Sequence, residues 1–277
     1  LVWGSTATKC DSASRSDEFP AKPAACRKVR FLVQSLQNTR MEQPHVSVVI
    51  PAFREERRLE VSLQAITAIL RQQPWEWELI VVDDGSTDST ASIALHFQQS
   101  EEPRLQLVRH TTNQGKGAAV RTGMLAARGR FAVFTDADNA TPIEELSKLL
   151  TAAENGADIA IGSRYLRGSD IVGGRSMVRQ LMSRLGNFLF WIVLGLRHSD
   201  TRCGFKLFSQ SARQRIFPRQ TLLRWGFDTE LLLIAKRQGM RVTEVPITWY
   251  DRERGHIDPV RDTLRSFFDL AKRSFIT

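Results

Sequence analysis

The sequence predicts an α/β protein with a doubly wound, mostly parallel sheet, and three observations support this. Short apolar runs alternate with segments of helical periodicity between positions 46 and 134. Three of these runs stop at polar clusters, at 51–55, 83–86 and 136–138. The 277 residues are 42% hydrophobic and 25% charged, so the chain has the composition and length of a globular protein with a large core.

The strands are predicted where β-branched or apolar residues follow one another without interruption. The predicted strands are 46–50, 79–82, 105–108 and 131–134, with two more at 159–161 and 242–245. Helices are predicted over 55–71, 90–99 and 117–127, where apolar residues such as Leu59, Leu63 and Ile66 recur at helical spacing. Because ligands of such sheets bind beyond the carboxyl ends of the strands, the three polar clusters should converge at one edge.

A longer apolar helix is predicted over about 177–196. It contains Phe188, Phe190 and Trp191, and arginines lie at and before its N-terminal half. One interpretation is a core helix beside a charged surface. The other is an interfacial helix that buries its apolar face in lipid while arginines meet phosphates. The sequence has no uninterrupted apolar stretch of about 20 residues, so we expect no transmembrane helix.

Composition limits the setting and the partners of the chain. Residues 1–40 are rich in Ser, Ala, Lys and Arg, and we predict a flexible extension there, followed by a single domain over 41–277. The net charge of +9 suits a nucleic acid, an anionic lipid or a phosphorylated substrate, and no nucleic-acid motif is present. The three cysteines lack metal-ligand spacing, which favours a reducing compartment.

The acidic triplet Asp136-Ala137-Asp138 follows the predicted strand 131–134. Two carboxylates two residues apart can hold Mg²⁺ or Mn²⁺ against a diphosphate, since these cations prefer oxygen ligands. The alternative is a solvated turn, for which Asp is well suited. Its position beside two other polar clusters favours the metal site.

Two further clusters allow both a functional and a structural interpretation. Asp83 and Asp84 directly follow a predicted strand, where they would bind a nucleoside or form a strand-to-helix turn. Lys116 lies in the glycine-rich segment 113–117 at a predicted helix start, where backbone N–H groups favour an anion such as a nucleotide phosphate. A simple loop is the alternative, since the segment lacks the spacing of a P-loop.

Taken in order, these motifs resemble family 2 glycosyltransferases with the GT-A fold. Within them the chain is most similar to the polyprenyl-phosphate group, and there to the dolichyl-phosphate β-glucosyltransferases. The resemblance extends over about 46–271 and rests on the segments 48–56, 82–86, 113–117, 136–138, 162–164, 200–208 and 224–232. It implies a nucleotide-binding N-terminal half and an acceptor-binding C-terminal half.

The resemblance also implies an activity. We expect inverting transfer of a hexose, namely glucose from UDP-glucose, to a polyprenyl phosphate of the dolichyl type, with Mg²⁺ or Mn²⁺ as cofactor. Because the acceptor phosphate is already anionic, positioning and charge matter more than a strong base. The protein would act as a peripheral membrane protein at the cytoplasmic face of a membrane.

Individual roles follow from the same resemblance. Asp136 and Asp138 would bind the metal, with Asp138 the more direct ligand. The nucleotide sugar would contact Pro51, Ala52, Glu55, Asp83, Asp84, Lys116, Asp136, Ala137 and Asp138. The acceptor phosphate would contact Arg164, Arg175, Arg179 and Ser183. Asp136, Asp138, Arg164, Asp228 and Glu230 would serve catalysis, with Asp228 and Glu230 at the sugar pocket.

The sequence departs from the family pattern at three places. Arg54 replaces the usual Asn, and Gly255-His256 replaces a Ser-Lys or Ser-Arg pair that contacts phosphate. After the triplet, Asn139 and the two residues beyond it lack the Gln of mannosyl relatives. This favours the glucosyl type and leaves a third metal ligand unassigned.

Two other functions remain open from the sequence. One is a soluble family 2 enzyme acting on a small acceptor, and the other is a non-catalytic nucleotide-sugar-binding protein. The intact acidic triplet argues against the second. The sequence makes no prediction about the oligomeric state.

Overall fold

The computed structural model describes residues 43–173, 192 and 194–251, and every structural statement below concerns these residues. The strands are β1 Val46–Ala52, β2 Trp77–Asp83, β3 Leu105–Arg109, β4 Phe131–Phe134, β5 Ile159–Ser163, β6 Asp170–Val172, β7 Lys206–Ser209, β8 Val242–Pro246 and β9 Thr248–Tyr250. The helices are α1 Leu59–Leu70, α2 Thr90–Ser100, α3 Lys116–Ala126, α4 Leu146–Glu154, α5 Gln210–Ile216 and α6 Phe227–Arg237.

Seven strands form one sheet in the order β3-β2-β1-β4-β7-β5-β8. All its neighbours are parallel except β7, which runs antiparallel between β4 and β5. The chain order reverses between β1 and β4, so helices cover both faces. This confirms the doubly wound, mostly parallel sheet expected from the sequence. Strands β6 and β9 pair in a separate, parallel two-stranded sheet.

The central strands are mostly apolar because both of their faces are covered. All seven residues of β1 and of β2 are buried, as parallel sheets between helix layers require. Helix α3 packs closely on this pair, since a Cβ added at Gly123 would lie 3.0 Å from Cγ2 of Val82. The glycine lets α3 approach the sheet, and the approach places the start of the helix, Lys116, at the sheet edge.

The carboxyl edge is the sheet edge at which β1, β2, β4 and β5 end. Because β7 is antiparallel, it begins at this edge, with Lys206 opposite Phe134 of β4 and Ile161 of β5. The polar clusters 51–55, 83–86 and 136–138 lie at the ends of β1, β2 and β4, so they lie at the carboxyl edge as predicted. The residues just before β7 lie at the same edge. The edge collects side chains from both halves of the chain.

Several elements differ from the sequence-based prediction. Helix α1 begins at Leu59 rather than at 55, because Arg54 has a φ of 56° and residues 55–58 form a turn closed on the carbonyl of Glu55. Strands β6, β7 and β9 and helices α4, α5 and α6 were not predicted. They have 3 to 11 residues, and the shortest leave no periodicity to detect.

The predicted apolar helix over 177–196 lies almost entirely outside the described residues. Ile192 and Leu194, which are described, are helical. The predicted extension over 1–40 and the Gly255-His256 pair also lie outside them. Among the helices that the structure describes, none has the length and apolar character needed to cross a bilayer.

Candidate active site

The acidic triplet forms a tight turn directly beyond β4. The N–H of Asn139 donates to the carbonyl of Asp136 at 3.1 Å, and the N–H of Ala140 donates to Oδ1 of Asp138 at 3.0 Å. Asn139 has a φ of 49°, a left-handed conformation that Asn tolerates better than most residues. The turn leaves Asp136 partly exposed and Asp138 mostly buried, so both carboxylates are held at the carboxyl edge.

Lys116 reaches the triplet from the start of α3. Its Nζ forms an ion pair with Oδ1 of Asp136. Burial by itself would lower the pKa of Lys116, but the carboxylates of Asp136, Asp228 and Asp138 outweigh it and raise that pKa. The lysine is therefore a fixed positive charge beside the acidic pair.

Arg58 joins the first polar cluster to the triplet. Its guanidinium donates to both carboxylate oxygens of Glu55, at 3.0 Å for Nη2 to Oε1, and Nη1 lies 3.9 Å from Oδ2 of Asp138. The hydrogen bond to Glu55 is the main reason that the pKa of Arg58 is raised. The sequence-based analysis did not assign a role to this arginine.

Asp228, at the start of α6, is paired with a lysine from the sheet. The Nζ of Lys206 is fully buried and donates to Oδ1 of Asp228 at 2.8 Å and to the carbonyl of Cys203. It also lies 5.6 Å from the ring centre of Phe134. The pair brings α6 to the same edge as Lys116, whose pKa Asp228 helps to raise.

These contacts form a series of opposite charges along the carboxyl edge. When all are ionised, four carboxylates and three cations leave a net charge of −1. A divalent cation would turn this into +1, which suits an anionic nucleotide diphosphate. The members are Glu55, Arg58, Asp138, Asp136, Lys116, Asp228 and Lys206.

The residues of the triplet fit a hard divalent cation. Burial is the main cause that raises the pKa of Asp138 above its usual value, and repulsion by the nearby carboxylate of Asp136 adds to it. A bound cation would relieve this repulsion. The Oδ1 of Asn139 is buried and has no hydrogen-bond partner. Among the described residues no three His, Cys, Asp or Glu side chains form a metal site, and a hard divalent cation also accepts a neutral amide oxygen as a donor. The amide oxygen of Asn139 is such a donor.

Gly204 makes room for the triplet. A Cβ added at this position would lie 2.8 Å from Cγ of Asp136, closer than a real Cβ contact. The residue belongs to the turn before β7, which the antiparallel pairing with β4 brings against the triplet. A glycine two residues before a strand gave no sequence signal of this contact.

Asp83 and Asp84 have different environments. Asp83 is fully buried and accepts from the N–H of Ser86 at 3.0 Å and from Nε of Arg109 at 3.0 Å. Asp84 accepts from His110, from the side chain of Asn113 and from two backbone N–H groups in the segment 113–117. Asp84 thus makes several internal hydrogen bonds, and its predicted contact with the nucleotide stays a prediction. Asp84 fixes the loop that precedes Lys116.

The start of α3 is covered by another segment of the chain. The N–H of Ala118 donates to the carbonyl of Leu223 at 2.8 Å, and Gln220 donates to the carbonyl of Gly117 at 2.8 Å. Gly115 has a φ of 108°, and a Cβ there would lie 2.6 Å from the same carbonyl oxygen of Leu223. The segment 220–224 therefore uses one backbone donor of this helix start, the N–H of Ala118, and an anion at the other donors stays a prediction.

Glu230 holds this covering segment in place. Its carboxylate accepts from the N–H groups of Thr221 at 3.1 Å and Leu222 at 2.8 Å, and from the Thr221 hydroxyl. Through these contacts Glu230 positions the segment 220–224. Its predicted place at the sugar pocket stays a prediction.

Arg164 follows β5 at the carboxyl edge and is paired with Asp200. Both side chains are buried, and the guanidinium donates to the carboxylate at 2.7 and 2.8 Å. Burial would raise the pKa of Asp200, but Arg164 lowers it, and Asp200 in turn raises the pKa of Arg164. The predicted role in acceptor binding has to share this guanidinium with Asp200.

The remaining predicted residues divide into two groups. Pro51, Ala52 and Ala137 are buried beside the strand ends, and their contact with a nucleotide stays a prediction. Arg175, Arg179 and Ser183 lie outside the described residues. The structure thus brings Glu55, Asp136, Asp138, Lys116 and Asp228 into one charged series and leaves the acceptor site largely undescribed.

Arg58, Lys206 and Asp200 are charged residues to which the sequence motifs assigned no individual role. Lys206 had a signal, because a lysine within the apolar run 205–208 needs a buried partner. Arg58 had a weaker sequence signal, because it lies three residues after Glu55, a spacing at which opposite charges can pair. Asp200 had none, since its partner lies 36 positions away.

The doubly wound sheet with an aspartate pair beyond β4 is the arrangement of the GT-A fold, and solved structures agree on this fold. Mannosyl-3-phosphoglycerate synthase from Rubrobacter xylanophilus has a TM-score of 0.64 at 20% identity, covering 86% of this chain and 76% of its own. Glucosyl-3-phosphoglycerate synthase from Mycobacterium tuberculosis was solved with Mn²⁺, UDP and glucosyl-3-phosphoglycerate. It has a TM-score of 0.59 at 23% identity, covering 83% of this chain and 80% of its own.

The sequence profile of glycosyl transferase family 2 matches residues 47–217, and the chain belongs to this family. It is 36% identical to the dolichyl-phosphate β-glucosyltransferase of Drosophila melanogaster, over 81% of this chain and 73% of that protein. It is 35% identical to the human protein of the same name, again over 81% and 73%. For the Saccharomyces cerevisiae protein the identity is 34%, over 83% and 74%.

Proposed function

We propose that this enzyme transfers glucose from UDP-glucose to dolichyl phosphate with inversion at the anomeric carbon. The observation that carries the proposal is the Asp136 and Asp138 pair within the charged series, in a chain 34–36% identical to dolichyl-phosphate β-glucosyltransferases. An α-linked donor and a β-linked product require a single in-line displacement. The acceptor phosphate oxygen attacks the anomeric carbon, and the bond from that carbon to UDP breaks.

Asp138, Asp136 and the amide oxygen of Asn139 would hold a Mg²⁺ or Mn²⁺ ion. Such a cation neutralises the charge that develops on the departing diphosphate. Lys116 adds a fixed positive charge on the same side, in a position set by Asp84 and by the segment 220–224. The acceptor phosphate is anionic at neutral pH, so these residues act by orientation and charge and not by removing a proton.

The metal role predicts the behaviour of two variants. Asp138→Asn removes an anionic ligand, and we expect it to lower kcat/KM by about two orders of magnitude and to weaken Mn²⁺ binding by about 100-fold. Asn139→Ala removes a neutral ligand and should weaken Mn²⁺ binding by about tenfold. Both are measured by calorimetric titration and by turnover at saturating Mn²⁺. Full activity of Asp138→Asn in EDTA would contradict the metal role.

The acceptor is tested by incubating the enzyme with radiolabelled nucleotide sugars, with and without dolichyl phosphate, in Mg²⁺ and in Mn²⁺. We expect label in the lipid fraction only from UDP-glucose and only with dolichyl phosphate. Transfer to a small phosphorylated acceptor instead would favour the soluble-enzyme alternative. Binding of UDP-glucose with no transfer and no UDP release would favour the non-catalytic one.

We propose peripheral membrane contact through the predicted helix over 177–196. Its support is the lipid acceptor of the relatives and the aromatic residues Phe188 and Trp191. Binding to liposomes that contain anionic lipid should be lost in the double variant Phe188→Asp, Trp191→Asp, while UDP binding is kept. Unchanged co-sedimentation of that variant would exclude this helix as the contact.

A further inference from the structure

Arg58 lies between two groups that the proposed function assigns to different ligands. Its guanidinium is held by Glu55 of the nucleotide cluster and lies 3.9 Å from Oδ2 of Asp138, in the metal cluster. The arginine immediately precedes α1, and residues 55–58 form a turn closed by the N–H of Arg58 on the carbonyl of Glu55. Its backbone is therefore fixed relative to the sheet edge.

The two oxygens of Asp138 are not equivalent. Oδ1 accepts the N–H of Ala140 at 3.0 Å, whereas Oδ2 faces the guanidinium of Arg58. Because Oδ1 already accepts one N–H, Oδ2 has more lone-pair capacity left and is the oxygen that a divalent cation would favour. The cation and Arg58 then share one anionic oxygen, and two positive charges at this range repel each other unless a further anion lies between them.

We propose that Arg58 couples metal binding to nucleotide binding. This inference rests on the proposed function, which places the cation at Asp138 and a nucleotide diphosphate beside it. Arg58 opposes the binding of the cation alone, because it competes for Oδ2. It favours the cation together with a diphosphate, because the oxygens of the diphosphate can accept from the guanidinium and ligate the metal at once. Glu55 keeps the guanidinium within reach of both.

The geometry explains why the coupling falls to Arg58 and not to Lys116. Lys116 pairs with Asp136, and Asp228 also contributes to its environment, so two carboxylates already balance its charge. Arg58 has the donors to serve two acceptors, since a guanidinium carries five N–H groups in a fixed fork. Nε and Nη2 donate to the carboxylate of Glu55, and Nη1 faces Oδ2 of Asp138.

The test is the affinity for Mn²⁺, measured calorimetrically with no nucleotide and with saturating UDP, in the wild type and in Arg58→Met. Without UDP, we expect the variant to bind Mn²⁺ about fivefold more tightly, because the competing charge is gone. With UDP, it should bind Mn²⁺ more weakly than the wild type. The factor by which UDP strengthens Mn²⁺ binding should therefore fall by about tenfold or more.

The matched control is Arg57→Met, which makes the same charge change at the exposed neighbour on the same turn. It should leave both Mn²⁺ affinities within about twofold of the wild type. Arg58→Lys keeps the charge but loses the fork. Without UDP, Arg58→Lys should bind Mn²⁺ more weakly than Arg58→Met does, because its positive charge still competes for Asp138. It should also lose most of the coupling between UDP and Mn²⁺ binding. If circular dichroism shows that Arg58→Met does not fold, Arg58→Lys provides the test.

Equal Mn²⁺ affinities of wild type and Arg58→Met without UDP would overturn the proposal, as would an unchanged coupling factor. These outcomes are distinct from failure of the proposed function. If the enzyme transfers another sugar or uses another acceptor, the Mn²⁺ and UDP titrations still report on Arg58. If the wild type binds no Mn²⁺ with or without UDP, the proposed metal role fails, and the coupling fails with it.

Discussion

Asp136 shows how a single side chain at this edge depends on residues distant in sequence. Lys116 pairs with it from 20 positions before, and Gly204 leaves space for it from 68 positions after. The triplet itself was visible in the sequence because two carboxylates follow an apolar run. The partners that orient it were not, since each comes from another strand or helix.

Gly204→Ala should displace Asp136 with little loss of stability. The new Cβ would lie 2.8 Å from Cγ of Asp136, and the carboxylate can rotate away because it ends a short side chain. We expect kcat/KM to fall by about 100-fold, since a displacement of about 1 Å in a reactive site has that effect.

The check for this variant is UDP-glucose turnover together with thermal unfolding. Gly239→Ala is the control, because no atom lies within 4 Å of its added Cβ, although its φ of 64° makes the backbone strained. That control should lose stability and keep turnover. A Gly204→Ala variant with normal turnover would show that the position of Asp136 is not critical.

At the scale of elements, the start of α3 is built by three parts of the chain. Asp84 fixes the loop before it, Gly117 and Ala118 contact the segment 220–224, and Glu230 of α6 holds that segment. The sequence indicated the helix and its glycine-rich start. It suggested an anion at the backbone donors, and the folded chain uses one of these donors, the N–H of Ala118, for the carbonyl of Leu223.

Glu230→Gln separates a positioning role from a chemical one. The neutral amide accepts more weakly from the N–H groups of Thr221 and Leu222, and we expect a loss of about 1–3 kcal/mol in the free energy of unfolding. Turnover per folded molecule should stay within about threefold of the wild type. Denaturant unfolding and kcat measure the two effects, and a 100-fold lower kcat at unchanged stability would instead assign Glu230 to the chemistry.

For the whole molecule, the buried pair of Arg164 and Asp200 ties the end of β5 to the chain before β7. Asp200 is fully buried, and its own N–H donates to Glu244 of β8 at 3.0 Å. Cys203 lies nearby, and burial, aided by Asp200, raises the pKa of its thiol to about 12. The thiol is therefore neutral at physiological pH, and this part of the core is held by the ion pair.

Asp200→Asn should lower the free energy of unfolding by about 3 kcal/mol at pH 7, because it leaves Arg164 buried without its counter-charge. The folded-state pKa of Asp200 lies below its unfolded value, so the stability it contributes is present above about pH 4. That contribution is lost as the pH falls through the folded pKa. The free energies of unfolding of the wild type and Asp200→Asn, measured in urea from pH 7 to pH 3, should differ less below about pH 4. A difference that stays constant with pH would contradict the role given to the ionised Asp200.

The sequence by itself determined the strand order along the chain, the carboxyl edge and the acidic triplet. Apolar runs and their polar ends are local patterns that follow from burial on both faces of a parallel sheet. The short antiparallel β7 was not visible, because four residues beginning with Lys206 carry no clear period.

Only the tertiary structure decided which charges pair. Each buried charge has a partner 8 to 36 positions away along the chain, and some of these partners are backbone N–H groups. This holds for Asp84, Arg164, Glu230 and Lys206. A buried charge must find an opposite charge or donor when the sheet closes, and strand order sets which one lies within reach. That is why the sequence did not show that Glu230 and Asp84 hold the loops that position Lys116, or that Arg58 pairs with Glu55 beside Asp138.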